Sequence, residues 1–138
     1  MKSMITVLFL CFTATAFAQG SRAVSVIDFV KIKNEKKAEA LYFYENNWKV
    51  YREIALQKGY IKSYKFFTAK PDSLANFDII LVTEYTDSVQ FKKSEENFNK
   101  IIKETRPNGA KLMNDLKPVD FRINLYSKIA ESLFQGGQ

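Results

Sequence analysis

The chain of 138 residues has no histidine, one cysteine, three prolines and five glycines. The missing histidine excludes the most chemistry. It rules out Ser-His-Asp and Cys-His nucleophile pairs, histidine-ligated zinc and the iron site built from two histidines and a carboxylate. Acid–base work would fall to Asp, Glu, Lys or Tyr. No Asp-x-Asp loop or EF-hand spacing is present, so the sequence calls for no metal and no cofactor. With no linker, repeat or low-complexity tract, a chain this short makes one domain.

The position of the one cysteine decides its meaning. Residues 1–18 read as a secretory signal peptide: Lys2, a mostly apolar run over residues 4–14, then Ala16-Phe17-Ala18 as an A-x-A cleavage site. The run is too short to span a bilayer, which takes ~20 apolar residues. Leu10 before Cys11 is not the small residue a lipoprotein leader would need, so Cys11 leaves with the leader. The expectation is an exported protein, periplasmic or extracellular, starting at Gln19 and without stable membrane insertion. Its mature chain has no thiol and no disulfide, and rests on a packed core. Only Lys2 is charged in the leader, so 20 basic residues face 15 acidic ones, a charge of +5.

Periodicity then gives the elements. Residues 24–33 read as a strand, with Val24, Val26, Val30 and Ile32 on one face, broken by Asp28, and Ile27 and Phe29 on the other. Residues 35–58 read as a long helix, because Leu41, Tyr44, Trp48, Tyr51 and Ala55 recur at spacings of three and four before Gly59. Residues 60–69 and 77–85 read as an antiparallel hairpin. Asp87 and Gln90 form a capping-box pattern that opens a second helix, which Arg106-Pro107-Asn108-Gly109 breaks. Residues 110–116 suit a short helical turn. Residues 119–126 alternate as a last strand, with Val119, Phe121, Ile123 and Leu125 opposite Asp120, Arg122 and Asn124. Residues 127–134 read as a short final helix, with a tail at 135–138.

The order β-α-β-β-α-β implies an α+β, ferredoxin-like domain over residues 19–134, a four-stranded antiparallel sheet with two helices on one face. The other face should be polar in a monomer, yet all three leading strands are apolar on both sides. That predicts a homodimer joined sheet to sheet. In element order, in the aromatic first helix (Leu41-Tyr42-Phe43-Tyr44-Glu45-Asn46-Asn47-Trp48) and in the hydrophobic third strand, residues 24–126 resemble the dimeric α/β-barrel superfamily. That group includes the antibiotic-biosynthesis-monooxygenase-like, NIPSNAP-like and stress-responsive barrel domains. The resemblance is one of pattern and transfers no catalytic motif. Branches that bind haem through histidine do not fit this sequence.

The resemblance implies a cavity between sheet and helices. Trp48, Tyr44, Tyr51, Tyr64 and Arg52 are the candidate ligand-binding residues, their rings suited to orient a small aromatic molecule; the same rings serve equally as core and interface. Asp28 and Glu84, charged within apolar strands, are the candidate acids or bases; Arg122, likewise placed, could pair with a carboxylate. Lys49, Arg52, Lys62 and Lys65 could form a basic patch, although interspersed acids favour a solvated face. No motif points to nucleic acid. The leading reading is an exported, dimeric domain that binds a ligand or is non-catalytic. Its rival is a cofactor-independent monooxygenase or isomerase for an aromatic substrate, with Glu84 as base.

Overall fold

The computed structural model describes residues 22–134. The leader, Cys11, the Ala18 cleavage site and the tail lie outside the described residues. The elements are β1 (Val24–Ile32), α1 (Lys37–Phe43), a π-helical segment (Tyr44–Trp48), α2 (Lys49–Gln57), β2 (Ser63–Thr68), β3 (Ile79–Tyr85), α3 (Ser88–Lys92), α4 (Ser94–Thr105), α5 (Pro118–Phe121) and β4 (Arg122–Glu131). The strands form one open antiparallel sheet in the order β2-β3-β1-β4, which is the ferredoxin-like topology.

The first helical rod buries the stripe that its spacing predicts. Tyr44 and Trp48 pack on Val30, Ile79 and Leu81 of the sheet, while Tyr51 and Ala55 join Ile61, Tyr85 and Ile101. The π segment interrupts it where the Lys49 N–H donates to the Tyr44 carbonyl, five residues back. Two asparagines occupy the turn this loosens. The side-chain amides of Asn46 and Asn47 donate to the Tyr42 and Phe43 carbonyls, each at 2.9 Å. Asn47 is fully buried and also holds Lys111, donating to its carbonyl at 2.8 Å and accepting from its N–H at 2.7 Å. It thereby ties the connector after α4 to the helix. The rod ends at Gly59, whose φ of +68° suits glycine, and Tyr60 N–H closes on the Ala55 carbonyl.

Asp87 caps α3 through its Oδ1, which accepts from Gln90 N–H at 2.7 Å. Gln90 Oε1 reaches back one residue further than a capping box requires, to Thr86 N–H.

The C-terminal third differs from the sequence reading. Residues 110–116 form no helix, and residues 127–131 continue β4 instead of turning helical. The first half of β1 takes Tyr126 to Glu131 as its ladder partners, and that pairing outweighs the weak helical preference of Lys128-Ile129-Ala130-Glu131. The expected alternation over residues 119–126 fails as well. Phe121 ends α5 in the core with 0% exposure, whereas Val119 is exposed. A bulge skips Leu125, so Val30 faces Asn124 while Phe29 faces Tyr126. Arg122 and Asn124, the polar set of that strand, therefore point at the helices.

Candidate functional site

Among the described residues, two cavities flank the line along which the first helical rod packs on the sheet. A cleft of about 390 Å³ lies on the β2 side, walled by Leu41, Tyr44, Trp48, Tyr64 and Phe66, with Glu45 and Lys49 also on it. A pocket of about 240 Å³ lies on the β4 side, with Asp28, Tyr44, Tyr51, Arg52, Arg122 and Asn124 among its walls. Tyr44 and Trp48 line both and so form the partition between them.

The partition is packed but chemically incomplete. Trp48 is 8% exposed and meets Tyr64 and Phe66 edge-on, at centroid distances of 5.7 and 6.2 Å. Tyr44 is 3% exposed and meets Phe66 at 5.6 Å. Among the described residues, Trp48 Nε1 is nevertheless buried with no hydrogen-bond partner, and the buried Tyr44 hydroxyl has only the Arg122 guanidinium beside it. Such atoms are rare in folded proteins and each calls for an explanation.

Electrostatics in the β4-side pocket centre on Arg52. Its guanidinium lies 4.8 Å from the Trp48 ring centroid and 4.1 Å from that of Phe98, and its Nε donates to Thr83 Oγ1 at 3.2 Å. Burial pulls its pKa from 12.5 to about 10, against the opposing pull of Tyr85 and Asp28, so it stays charged at neutral pH. Arg122 stacks over Phe43 and Tyr44 at 4.9 and 5.6 Å. Asp28 accepts from the Ser127 hydroxyl, which in turn accepts from Asn124 at 3.4 Å.

Burial drives the Tyr44 pKa from 10.0 to about 12, with Arg122 opposing and Asp28 adding to the rise. Burial also raises Tyr51, Tyr64 and Tyr85. A tyrosine with a raised native value adds stability that is complete below its unfolded value. That contribution is lost as pH climbs through the native one. The protein should therefore lose stability between about pH 10 and pH 12. Its tyrosinate absorbance should lag that of the urea-unfolded chain, and Tyr44→Phe should delete the last component. Native and unfolded titration curves that overlay would show these rings to be solvated.

The structure gathers Trp48, Tyr44, Tyr51, Arg52 and Asp28 around one pocket and places Tyr64 across the partition. It separates Glu84 from them. Glu84 is on the opposite sheet face, where Lys62 Nζ at 2.6 Å, helped by Ser63, holds its carboxyl below the usual carboxylate range. The basic patch does not assemble: Arg52 turns inward, Lys49 pairs with Glu53, and Lys62 pairs with Glu84. Asn124 is a wall residue that the sequence reading did not single out. Its signal was membership of the polar face of an otherwise apolar strand. Among the described residues, no group of three or more Cys, Asp or Glu side chains could hold a metal ion, and no helix is long and apolar enough to cross a membrane.

No protein-family model and no curated protein matches the chain. Solved structures do. HapK from Hahella chejuensis superposes with a TM-score of 0.53 at 14% identity, over 83% of this chain and 97% of that one. A candidate monooxygenase from Shewanella loihica PV-4 gives 0.49 at 14% identity, over 83% and 98%. A dimeric ferredoxin-like protein of unknown function from Thermobifida fusca YX gives 0.47 at 11%, over 81% and 92%. At such identities the likeness speaks for the fold, and it agrees with the strand order: the chain is an α+β protein of the ferredoxin-like fold.

Proposed function

We propose that this chain is an exported, homodimeric protein that binds a small aromatic molecule against Trp48 and Tyr44. The observation that carries the reading is the partition itself: two large rings, almost fully buried, which border cavities on both sides and whose polar atoms find, among the described residues, no partner for Trp48 Nε1 and only Arg122 for the Tyr44 hydroxyl. A packed core would satisfy or exclude those atoms. The β2-side cleft falls within the ~300–1,000 Å³ of ordinary ligand sites. Export is inferred from residues 1–18, and dimerisation from the apolar sheet face.

Native mass spectrometry of the protein purified from its own host tests this directly. The expected result is a chain beginning at Gln19, with a small molecule retained. A chain that keeps Met1 and Cys11 would overturn export. A dimer that never carries a small molecule, and takes up none of a panel of aromatic compounds, would overturn binding.

Asp28 favours a second reading, a cofactor-independent monooxygenase or isomerase. With Glu84 on the far face, Asp28 is the acidic side chain among the described residues that lines the pocket beside Tyr44 and is placed to act as base. Asp28→Asn should then stop conversion of the retained molecule while leaving its binding intact. Unchanged conversion would remove Asp28 from that role.

A further inference from the structure

We propose that the β4-side pocket takes an organic anion, its carboxylate or phenolate neutralised by Arg52 and Arg122. The inference rests on the small-molecule reading and adds the charge of the ligand. Two guanidiniums line the pocket against one carboxylate, Asp28, which is already engaged by Ser127. Neither arginine forms an ion pair among the described residues. Both arginines are partly buried, and two partly desolvated cations around one space leave a positive charge that an anion would meet.

The arrangement of each donor supports this. The Trp48 and Phe98 rings and Thr83 fix Arg52, and the Thr83 bond uses only its Nε. Among the described residues, its two terminal nitrogens have no hydrogen-bond acceptor, and these are the atoms that grip a carboxylate in a paired fork. Arg122 lies over Phe43 and Tyr44, its Nε buried and without a partner among the described residues. The Tyr44 hydroxyl, its oxygen facing Arg122, keeps its O–H as a further donor on the same wall. Rings on the partition would stack a planar body while the arginines take its charged end. Among the described residues, the apolar β2-side cleft has Lys49 as its one cationic lining residue, so charge selection belongs to the β4 side.

The probes are 2-naphthoate and its neutral isostere 2-naphthamide, titrated into the purified full-length mature protein by calorimetry and by emission of its single tryptophan. Naphthoate should bind about tenfold tighter or more, the range of a charge-assisted hydrogen bond. Arg52→Met and Arg122→Met should each erase that preference, leaving the amide within about twofold of wild type, since methionine keeps the apolar volume and removes the charge. Lys100→Met, on the exposed side of α4, should leave the preference unchanged. Two variants guard against a failure of either to fold. Equal affinity for acid and amide, or a preference that survives both substitutions, would overturn the anion and spare the pocket. Binding of neither probe would overturn both together.

Discussion

Trp48→Ala is expected to cost about 3 kcal/mol of stability, at the low end for truncating a buried tryptophan. For a domain of this size that is a fall of roughly 10–15 °C in Tm. Three facts about the side chain set the magnitude. The indole is almost wholly buried, its edge contacts with Tyr64 and Phe66 join the rod to β2, and it forms one side of the stack that holds Arg52. Two facts lower it from the upper end. The ring already borders open space in both cavities, so some of its dispersion contacts are missing, and its unpartnered Nε1 is a polar cost that alanine removes. Trp48→Phe should keep most of the packing and cost about 1 kcal/mol, as a partial large-to-small change. Urea denaturation of the three proteins gives the numbers. In the native wild type, emission should be blue-shifted and poorly quenched by iodide. A loss below about 1 kcal/mol for the alanine variant would place the indole outside the load the core carries.

The rod was legible because its apolar spacing is helical over five consecutive positions and Gly59 marks its end. The central strands were legible because Val24–Ile32 and Ile79–Tyr85 are short runs rich in Val, Ile and aromatic residues, too short for a buried helix. The C-terminal strand was only half legible. Its alternation is real in the sequence, but Phe121 belongs to α5 and the bulge at Leu125 breaks the phase, and neither is encoded by local pattern. The site followed the same division. Trp48, Tyr44, Tyr51 and Arg52 sit together because they share a helix, and Asp28 joins them because it interrupts the buried face of β1. Glu84 shares a face with Ile80 and Val82, as its spacing from Val82 places it, but two apolar faces in one strand do not tell which of them the helices cover. Asn124 and Arg122 show in the sequence as the polar face of an apolar strand, but only β1–β4 pairing across nearly a hundred positions brings them beside Asp28.

The open face leads to the other large effect. Ladder partners place Phe67, Ile80, Phe29 and Tyr126 in one row across all four strands, β2 to β4. Phe29 contacts Phe77 and Tyr126 at ring distances of 4.9 and 4.7 Å, so the row is packed, yet Phe67 and Tyr126 remain 47% and 46% exposed. The next row runs Lys65, Val82, Ile27 and Lys128, an apolar centre with a lysine at each edge. An apolar stripe with a charged rim is the pattern of an interface core, and a two-fold axis through the stripe would bury both copies at once. Light scattering at micromolar concentration should give twice the mass of the mature chain. Phe67→Asp combined with Tyr126→Asp should weaken association by about 100-fold or more, close to 3 kcal/mol, because each charge enters the interface twice without a partner. Both positions are half-open in the protomer, so folding should change little, and Trp48 emission on the other face should be unaltered. If the wild type is a stable monomer at those concentrations, the sheet-to-sheet dimer is wrong while the ferredoxin-like fold stands. If the double variant stays dimeric, association uses a different surface. A monomeric variant that still binds its ligand would show that the pockets beside Trp48 are complete within one chain, as their walls imply.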